Sequence, residues 1–168
     1  MVSCRLKSIN FLLNLFMIYR FSCKTDILIL KEVISMNYEV NRHSCYYLKY
    51  HLILVTKYRH PVIDENIKQQ LIDIAYNIFE QHWKIKIDSI NTDKDHIHIL
   101  FSSKPQVKLS DLVNNYKSVS SRLIRKNNSD YLKPYYWKPY FWSDSYFIGG
   151  VSEVTENIVK EYIKNQDK

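Results

Sequence analysis

The stretch Trp83-Lys-Ile-Lys-Ile-Asp-Ser-Ile-Asn-Thr-Asp-Lys-Asp-His-Ile-His-Ile-Leu-Phe-Ser102 decides the fold. Trp83 to Ile90 and His96 to Ser102 are two β-type runs, and the polar turn formers Asn91 to Asp95 between them predict a hairpin or tight strand connection. Side chains alternate faces along a strand, so His96 and His98 project together while Ile97 turns to the core. Two imidazoles on one face are placed to converge on one ion. Asp93 and Asp95 precede the pair, where either can orient an imidazole or attract a cation. A His-x-His spacing alone is a weak signal, because two exposed strand histidines produce the same pattern.

Upstream of this hairpin, Cys45 to Tyr58 is rich in β-branched and aromatic residues and reads as a long strand ended by His60-Pro61. Asp64 can then cap a helix running to about His82, with Ile67, Leu71, Ile72, Ala75, Ile78 and Phe79 at helical spacing as its buried stripe. Downstream, a second helix opens at Leu109 or Ser110 and runs to about Lys126. Its inward stripe is Leu112, Val113, Tyr116, Val119 and Leu123, and its outer face carries Lys117, Arg122, Arg125 and Lys126. Phe141 to Val151 predicts another strand stopped by Gly149-Gly150, and a final helix covers Val154 to Asn165. The order β-α-β-β-α-β-α points to an α+β fold of the ferredoxin-like kind: a two-layer sandwich of antiparallel sheet with helices on one face, plus the C-terminal helix. Tyr162 and Gln166 are four residues apart, so a hydroxyl and an amide share one face of that last helix.

The chain has 168 residues, enough for one compact domain with its own core. Its formal charge of +7 accompanies fourteen tyrosines, seven phenylalanines and three tryptophans, a mixture of cations and flat rings suited to phosphates and unstacked bases. With glycine only at Gly149 and Gly150, no Walker or dinucleotide phosphate loop can be built, which excludes the usual nucleotide hydrolases. Cys4, Cys23 and Cys45 lack Cys-x-x-Cys spacing, so neither a zinc knuckle nor a redox pair is expected, and a reducing cytoplasm fits.

Residues 1–35 differ in character from the rest. Arg5 and Lys7 precede an apolar run from Ile9 to Ile18, shorter than a membrane-spanning helix needs, and no small-residue cleavage site follows. Lys31-Glu32-Val33 is encoded by AAR-GAR-GTN, which can spell the bacterial ribosome-binding sequence AAGGAGGT, with Met36 a short spacer beyond. The expectation is that residues 1–35 are translated upstream DNA without function and that the functional domain is 36–168.

Several blocks in order then resemble a known family. Tyr50-His-Leu-Ile-Leu-Val-Thr-Lys-Tyr-Arg, Thr92-Asp-Lys-Asp-His-Ile-His-Ile-Leu, Lys117-Ser-Val-Ser-Ser-Arg-Leu-Ile-Arg, Phe141-Trp-Ser-Asp-Ser-Tyr-Phe-Ile-Gly and Tyr162-Ile-Lys-Asn-Gln166 together are similar to the TnpA-type single-tyrosine HUH transposases of small bacterial insertion sequences with hairpin ends, the IS200-like group. The resemblance runs from about Arg42 to Gln166. It implies that His96 and His98 are metal ligands, Gln166 a third ligand, and Tyr162 the nucleophile that forms a 5′-phosphotyrosine with single-stranded DNA. The implied ion is Mg²⁺ or Mn²⁺. The resemblance further implies a homodimer whose active sites are completed in trans, and recognition of subterminal DNA hairpins.

For holding DNA, the candidates are Lys117, Arg122, Arg125 and Lys126 with the aromatic-basic run Tyr135-Tyr136-Trp137-Lys138. Two rivals share parts of this pattern. A replication initiator or relaxase of the HUH type uses the same tyrosine chemistry but needs accessory domains. A non-catalytic single-strand-binding module needs stacking rings but no nucleophile.

Overall fold

The computed structural model describes residues 39–40 and 45–151. The proposed N-terminal extension 1–35 and the expected helix Val154 to Asn165, with Tyr162 and Gln166, lie outside the described residues. Two compact units divide between Tyr47 and Leu48. In the first, Glu39–Val40 pairs antiparallel with Cys45–Tyr46, and the Tyr46 hydroxyl donates to Glu39 Oε2 at 3.1 Å.

Among the described residues, the second unit is built on four strands and two main helices in the order β1 (Lys49–Val55), α1 (Glu65–Tyr76), β2 (Lys86–Asp93), β3 (His96–Ser102), α2 (Leu109–Asn127), the single turn α3 (Ser129–Leu132) and β4 (Phe147–Val151). The sheet order is β2-β3-β1-β4 and every pairing is antiparallel. This is the ferredoxin-like α+β arrangement that the element order predicts.

One sheet face carries the core. Leu52 and Leu54 of β1 and Ile97, Ile99 and Phe101 of β3 are buried against Ile67, Leu71 and Ala75 of α1 and Leu112, Val113, Tyr116 and Ile124 of α2. Phe79 bridges the layers, its ring centroid 5.1 Å from Phe101 and 5.8 Å from Tyr116, both near edge-to-face. The buried Tyr116 hydroxyl donates to the Leu71 carbonyl at 3.1 Å, so its polar tip costs the core little. Burial pushes the Tyr116 phenol far above its ordinary pKa.

Several boundaries differ from expectation. The first strand begins at Lys49, since Cys45–Tyr46 pairs with Glu39–Val40 instead. It ends at Val55, because Tyr58 and Arg59 turn left-handed at φ 61° and 55° and extended backbone cannot continue. Asp64 caps α1 as predicted, accepting from the Ile67 amide at 2.8 Å, and the helix path continues to His82 through a wider turn in which the Trp83 amide reaches the Ile78 carbonyl. Ile72 is only half-buried, as are Val119 and Leu123 on α2, where Ser120 and Ile124 fill the core positions. Ser120 is buried because its hydroxyl donates to the Tyr116 carbonyl at 2.5 Å and accepts from Trp142 Nε1 at 2.8 Å.

The expected strand from Phe141 forms in two pieces. Trp142 bridges Thr56, then residues 143–146 leave the sheet, and β4 starts at Phe147. The glycine pair does not stop this strand but lies inside it, Gly149 opposite His51 and Gly150 opposite Tyr50. A Cβ at Gly149 would stand 3.1 Å from the Phe147 ring, so glycine leaves that ring its place.

Candidate active site

The second sheet face is set by alternation and register. Ile97, Ile99 and Phe101 face the helices, so His96, His98 and Leu100 face the other way. Register adds neighbours to the histidines: Val55 and Asp93 flank His96, while Ile53 and Asn91 flank His98. On β1 the core positions Leu52 and Leu54 send His51 to this same face, opposite Leu100 and diagonal to His98. Leu100 and Val151 form a small buried cluster beside them.

The two imidazoles stand with ring centroids 4.8 Å apart and planes at 76°. Each has its Nδ1 engaged. His96 Nδ1 lies 2.5 Å from Asp95 Oδ1, and the other carboxylate oxygen of Asp95 accepts from Arg59 Nε at 2.9 Å. His98 Nδ1 lies 2.9 Å from Nε2 of His51, the two rings near parallel at 15° with centroids 5.1 Å apart. If both rings ligate through Nε2, the tautomers follow: each Nδ1 carries the proton, His96 donating to Asp95 and His98 donating to His51. His51 is then protonated on its own Nδ1.

Burial favours the neutral form of His98 and of His51. Burial lowers the His98 pKa to about 4, helped by the neighbouring imidazoles of His51 and His96 and opposed by the Asp93 carboxylate. Burial also lowers His51. Desolvation pushes Asp95 up, but hydrogen bonds from His96 and Arg59 outweigh it and hold the carboxyl below its ordinary value. The neutral form of His98 is the state a metal-binding histidine requires.

The donor set fits a divalent ion. Asp93, Asp95 and His96 bring ligand atoms within 4.8 Å of one another, and His98 adds a second imidazole on the same face. Mixed nitrogen and oxygen donors suit manganese, and magnesium with retained water.

Asp95 contacts His96 through Nδ1 of the ring, the neighbour the sequence pairs it with. Asp93 faces the site, but its Oδ1 accepts from the Lys94 amide at 2.7 Å rather than from a histidine. Sequence reasoning missed His51, Arg59 and Asn91. His51 was within reach, because Leu52 and Leu54 define the core phase of β1 and leave residue 51 on the face of the histidine pair. Asn91 was hidden by its polar neighbours: Asn91, Thr92 and Asp93 read as turn residues, whereas the turn is only Lys94-Asp95 and those three are strand, with Asn91 and Thr92 buried.

The DNA candidates sit on α2 and the segment after it. Arg122 and Lys126 are exposed and Arg125 half-buried. Lys117 is tied to the 143–146 segment: its ammonium donates to the Asp144 carbonyl at 2.9 Å and lies 5.7 Å from the Tyr146 ring, and burial lowers its pKa. Trp137 is 76 % exposed, with Lys138 Nζ 4.6 Å above its ring. Arg125 also lines a cleft of about 270 Å³ with Lys133, Tyr136 and Tyr140. Among the described residues no helix is long and apolar enough to cross a membrane.

An antiparallel sheet with helices on one face and a strand-borne His-Ile-His pair on the other is the arrangement that the resemblance to the HUH transposases implies. Residues 44–166 match the family described as Transposase IS200 like, and the chain belongs to that family. It is 32 % identical over 134 residues to the ISDra2 transposase TnpA of Deinococcus radiodurans, covering 80 % of this chain and 94 % of that protein. It is 29 % identical over 125 residues to the transposase for insertion sequence element IS200 of Salmonella typhimurium, covering 74 % and 80 %. A Deinococcus radiodurans crystal structure assigned as a transposase superposes with a TM-score of 0.62 at 30 % identity, covering 76 % of this chain and 97 % of that one. The function is that of an IS200-family transposase, an enzyme of DNA cleavage and joining.

Proposed function

We propose that this transposase cuts and rejoins single-stranded DNA at insertion-sequence ends with the Tyr162 phenol as nucleophile, beside a Mg²⁺ or Mn²⁺ ion held by His96, His98 and Gln166. The observation that carries the reading is the pair of imidazoles on one sheet face, each with Nδ1 engaged, by Asp95 and by His51, which supports Nε2 as the ligand atom of each ring. A bound divalent ion supplies neutralisation of charge at the scissile phosphate.

The chain's own groups do the rest. In the cleavage step the Tyr162 oxygen bonds to phosphorus, the bond from phosphorus to the 3′-oxygen breaks, and the products are a 5′-phosphotyrosine and a free 3′-hydroxyl. Rejoining is the reverse exchange with a new 3′-hydroxyl. Each step trades one phosphate ester for another, so no nucleotide triphosphate is consumed, in keeping with a chain that has only two glycines and no phosphate loop. Tyr162 and Gln166 are four residues apart, a spacing that supports their joint delivery to the histidine pair.

The family resemblance supports a homodimer in which the tyrosine segment of one protomer serves the histidines of the other, with subterminal hairpins as the DNA, acting in the cytoplasm. Lys117, Arg122, Arg125 and Lys126 with Trp137 and Lys138 hold that DNA. The working domain is 36–168, in keeping with the family match over 44–166. The test is Tyr162→Phe on a hairpin oligonucleotide with a single-stranded tail. The variant should retain affinity and lose cleavage entirely, whereas a binding module would be indifferent to the change and wild type would not cleave.

A further inference from the structure

Tyr58, Tyr76, Tyr131, Trp137, Tyr146 and Phe147 are the large hydrophobic side chains exposed among the described residues, and all six are aromatic. Exposed aromatic rings suit a flat ligand, and every nucleobase has a π-face. Two of these rings gather with half-buried Tyr140 beyond the end of β1. Tyr140 meets Tyr58 at 6.1 Å and 88°, and Trp137 at 6.5 Å and 90°. In each edge-to-face contact one ring's edge meets the other's face, so Tyr140 braces Tyr58 and Trp137, whose exposed sides are what remains for another partner. Lys57 Nζ lies 5.5 Å from the Tyr58 ring and 5.1 Å from the Tyr140 ring. Asp144 pairs with that ammonium, so Lys57 contributes more to ring placement than to free charge, and exposed Lys138 above Trp137 is the cation suited to a phosphate.

The backbone beneath the patch is strained in a telling way. Tyr58 and Arg59 are consecutive left-handed residues with φ 61° and 55°, a conformation in which a Cβ crowds the carbonyl and where glycine or asparagine fits better. The turn leaves the Tyr58 ring 57 % exposed and brings Arg59 to Asp95, the residue that holds His96. The Thr56 amide also donates to the Asp95 carbonyl at 2.8 Å. The ring cluster and the histidine site are therefore joined through one short turn.

We propose that Tyr58, Tyr140 and Trp137 form a stacking platform for unpaired DNA bases beside the scissile phosphate. The proposal rests on the single-strand cleavage reading above and adds to it a subsite that recognises bases by stacking, without a sequence code. It extends the Trp137 and Lys138 candidates to Tyr58 and Tyr140, linked to His96 through Arg59 and Asp95.

The test uses the full chain with oligothymidine and with an abasic oligomer of equal length, which has the same phosphates and no bases. Wild type should bind the abasic oligomer at least roughly 5-fold more weakly, the lower bound for losing one stacked base at about 1 kcal/mol. Trp137→Leu and Tyr58→Asn should each lose much of that advantage on oligothymidine and change little on the abasic oligomer, while Trp137→Phe keeps most of it. Asparagine tolerates the left-handed turn, so Tyr58→Asn removes the ring without forcing the backbone. Variants that weaken both oligomers equally would overturn the platform. So would a wild type that cleaves single-stranded DNA but does not distinguish the two oligomers. A wild type that neither binds nor cleaves single-stranded DNA would overturn the function reading, and the platform with it.

Discussion

Replacing Asp95 with Asn isolates the group that holds His96. The carboxylate uses both oxygens as acceptors, one 2.5 Å from His96 Nδ1 and one 2.9 Å from Arg59 Nε. An amide keeps one acceptor and turns an NH₂ toward the other partner, so a donor faces a donor at His96 or at Arg59. Loss of an outer partner to a ligating histidine lowers metal affinity by about 10- to 100-fold, or about 1.4 to 2.7 kcal/mol. The Arg59 arm is worth less, because its side chain is 70 % exposed and water screens the pair; Arg59→Gln should cost under about 1 kcal/mol, less than roughly fivefold. The double variant should lose less than the sum, since both changes act through one carboxylate. Mn²⁺ titration followed by electron paramagnetic resonance reads the free ion directly. Asp95→Asn binding Mn²⁺ within about twofold of wild type, or Arg59→Gln losing more than Asp95→Asn, would refute this reasoning.

Other outcomes follow from the same contacts. Ser120→Ala removes the acceptor of buried Trp142 Nε1 and should destabilise the protein by about 1–3 kcal/mol in denaturant titration, whereas Ser120→Thr should lose less. Metal-free protein should lose stability as pH falls from about 6.5 toward 4. The unfolded chain protonates His98 at its ordinary pKa while burial holds the folded value near 4, so in that window the unfolded state binds more protons. The His98 share is on the order of 3 kcal/mol at most, and His98→Gln should flatten the melting temperature's slope over that range. Chelation with EDTA should abolish cleavage while leaving hairpin affinity within a few fold, and Mn²⁺ should restore it, as gel-shift and cleavage assays on one oligonucleotide will read.

The sheet and its helices were legible because periodicity reports burial. Leu52 and Leu54, then Ile97, Ile99 and Phe101, alternate as a one-sided sheet must, and Ile67, Leu71 and Ala75 repeat as a helix stripe. What escaped were places where a polar residue is buried with a partner distant in sequence. Ser120 looks like a surface residue until Trp142, 22 positions on, supplies its donor. Asn91 and Asp93 look like turn formers until β3 pairs beside them and places them at the histidines. His51 needs the 47-residue link to His98 before it has a role. Gly149 and Gly150 read as a stop because glycine weakens strands, yet opposite His51 and Tyr50 they continue one. The His96 and His98 pair was visible in the sequence as spacing. The Nδ1 contacts that make it suitable for a metal were not, apart from the adjacency of Asp95.

The nucleophile is the claim on which the mechanism turns. Wild-type protein incubated with Mn²⁺ and a hairpin oligonucleotide carrying a single-stranded tail, then digested and sequenced by mass spectrometry, locates any covalent nucleotide. The expected product is the peptide containing Tyr162 with a 5′-phosphodiester on its phenol oxygen, absent from Tyr162→Phe and from a His96→Ala, His98→Ala double variant. An adduct on another residue, or undiminished cleavage by Tyr162→Phe, would contradict it.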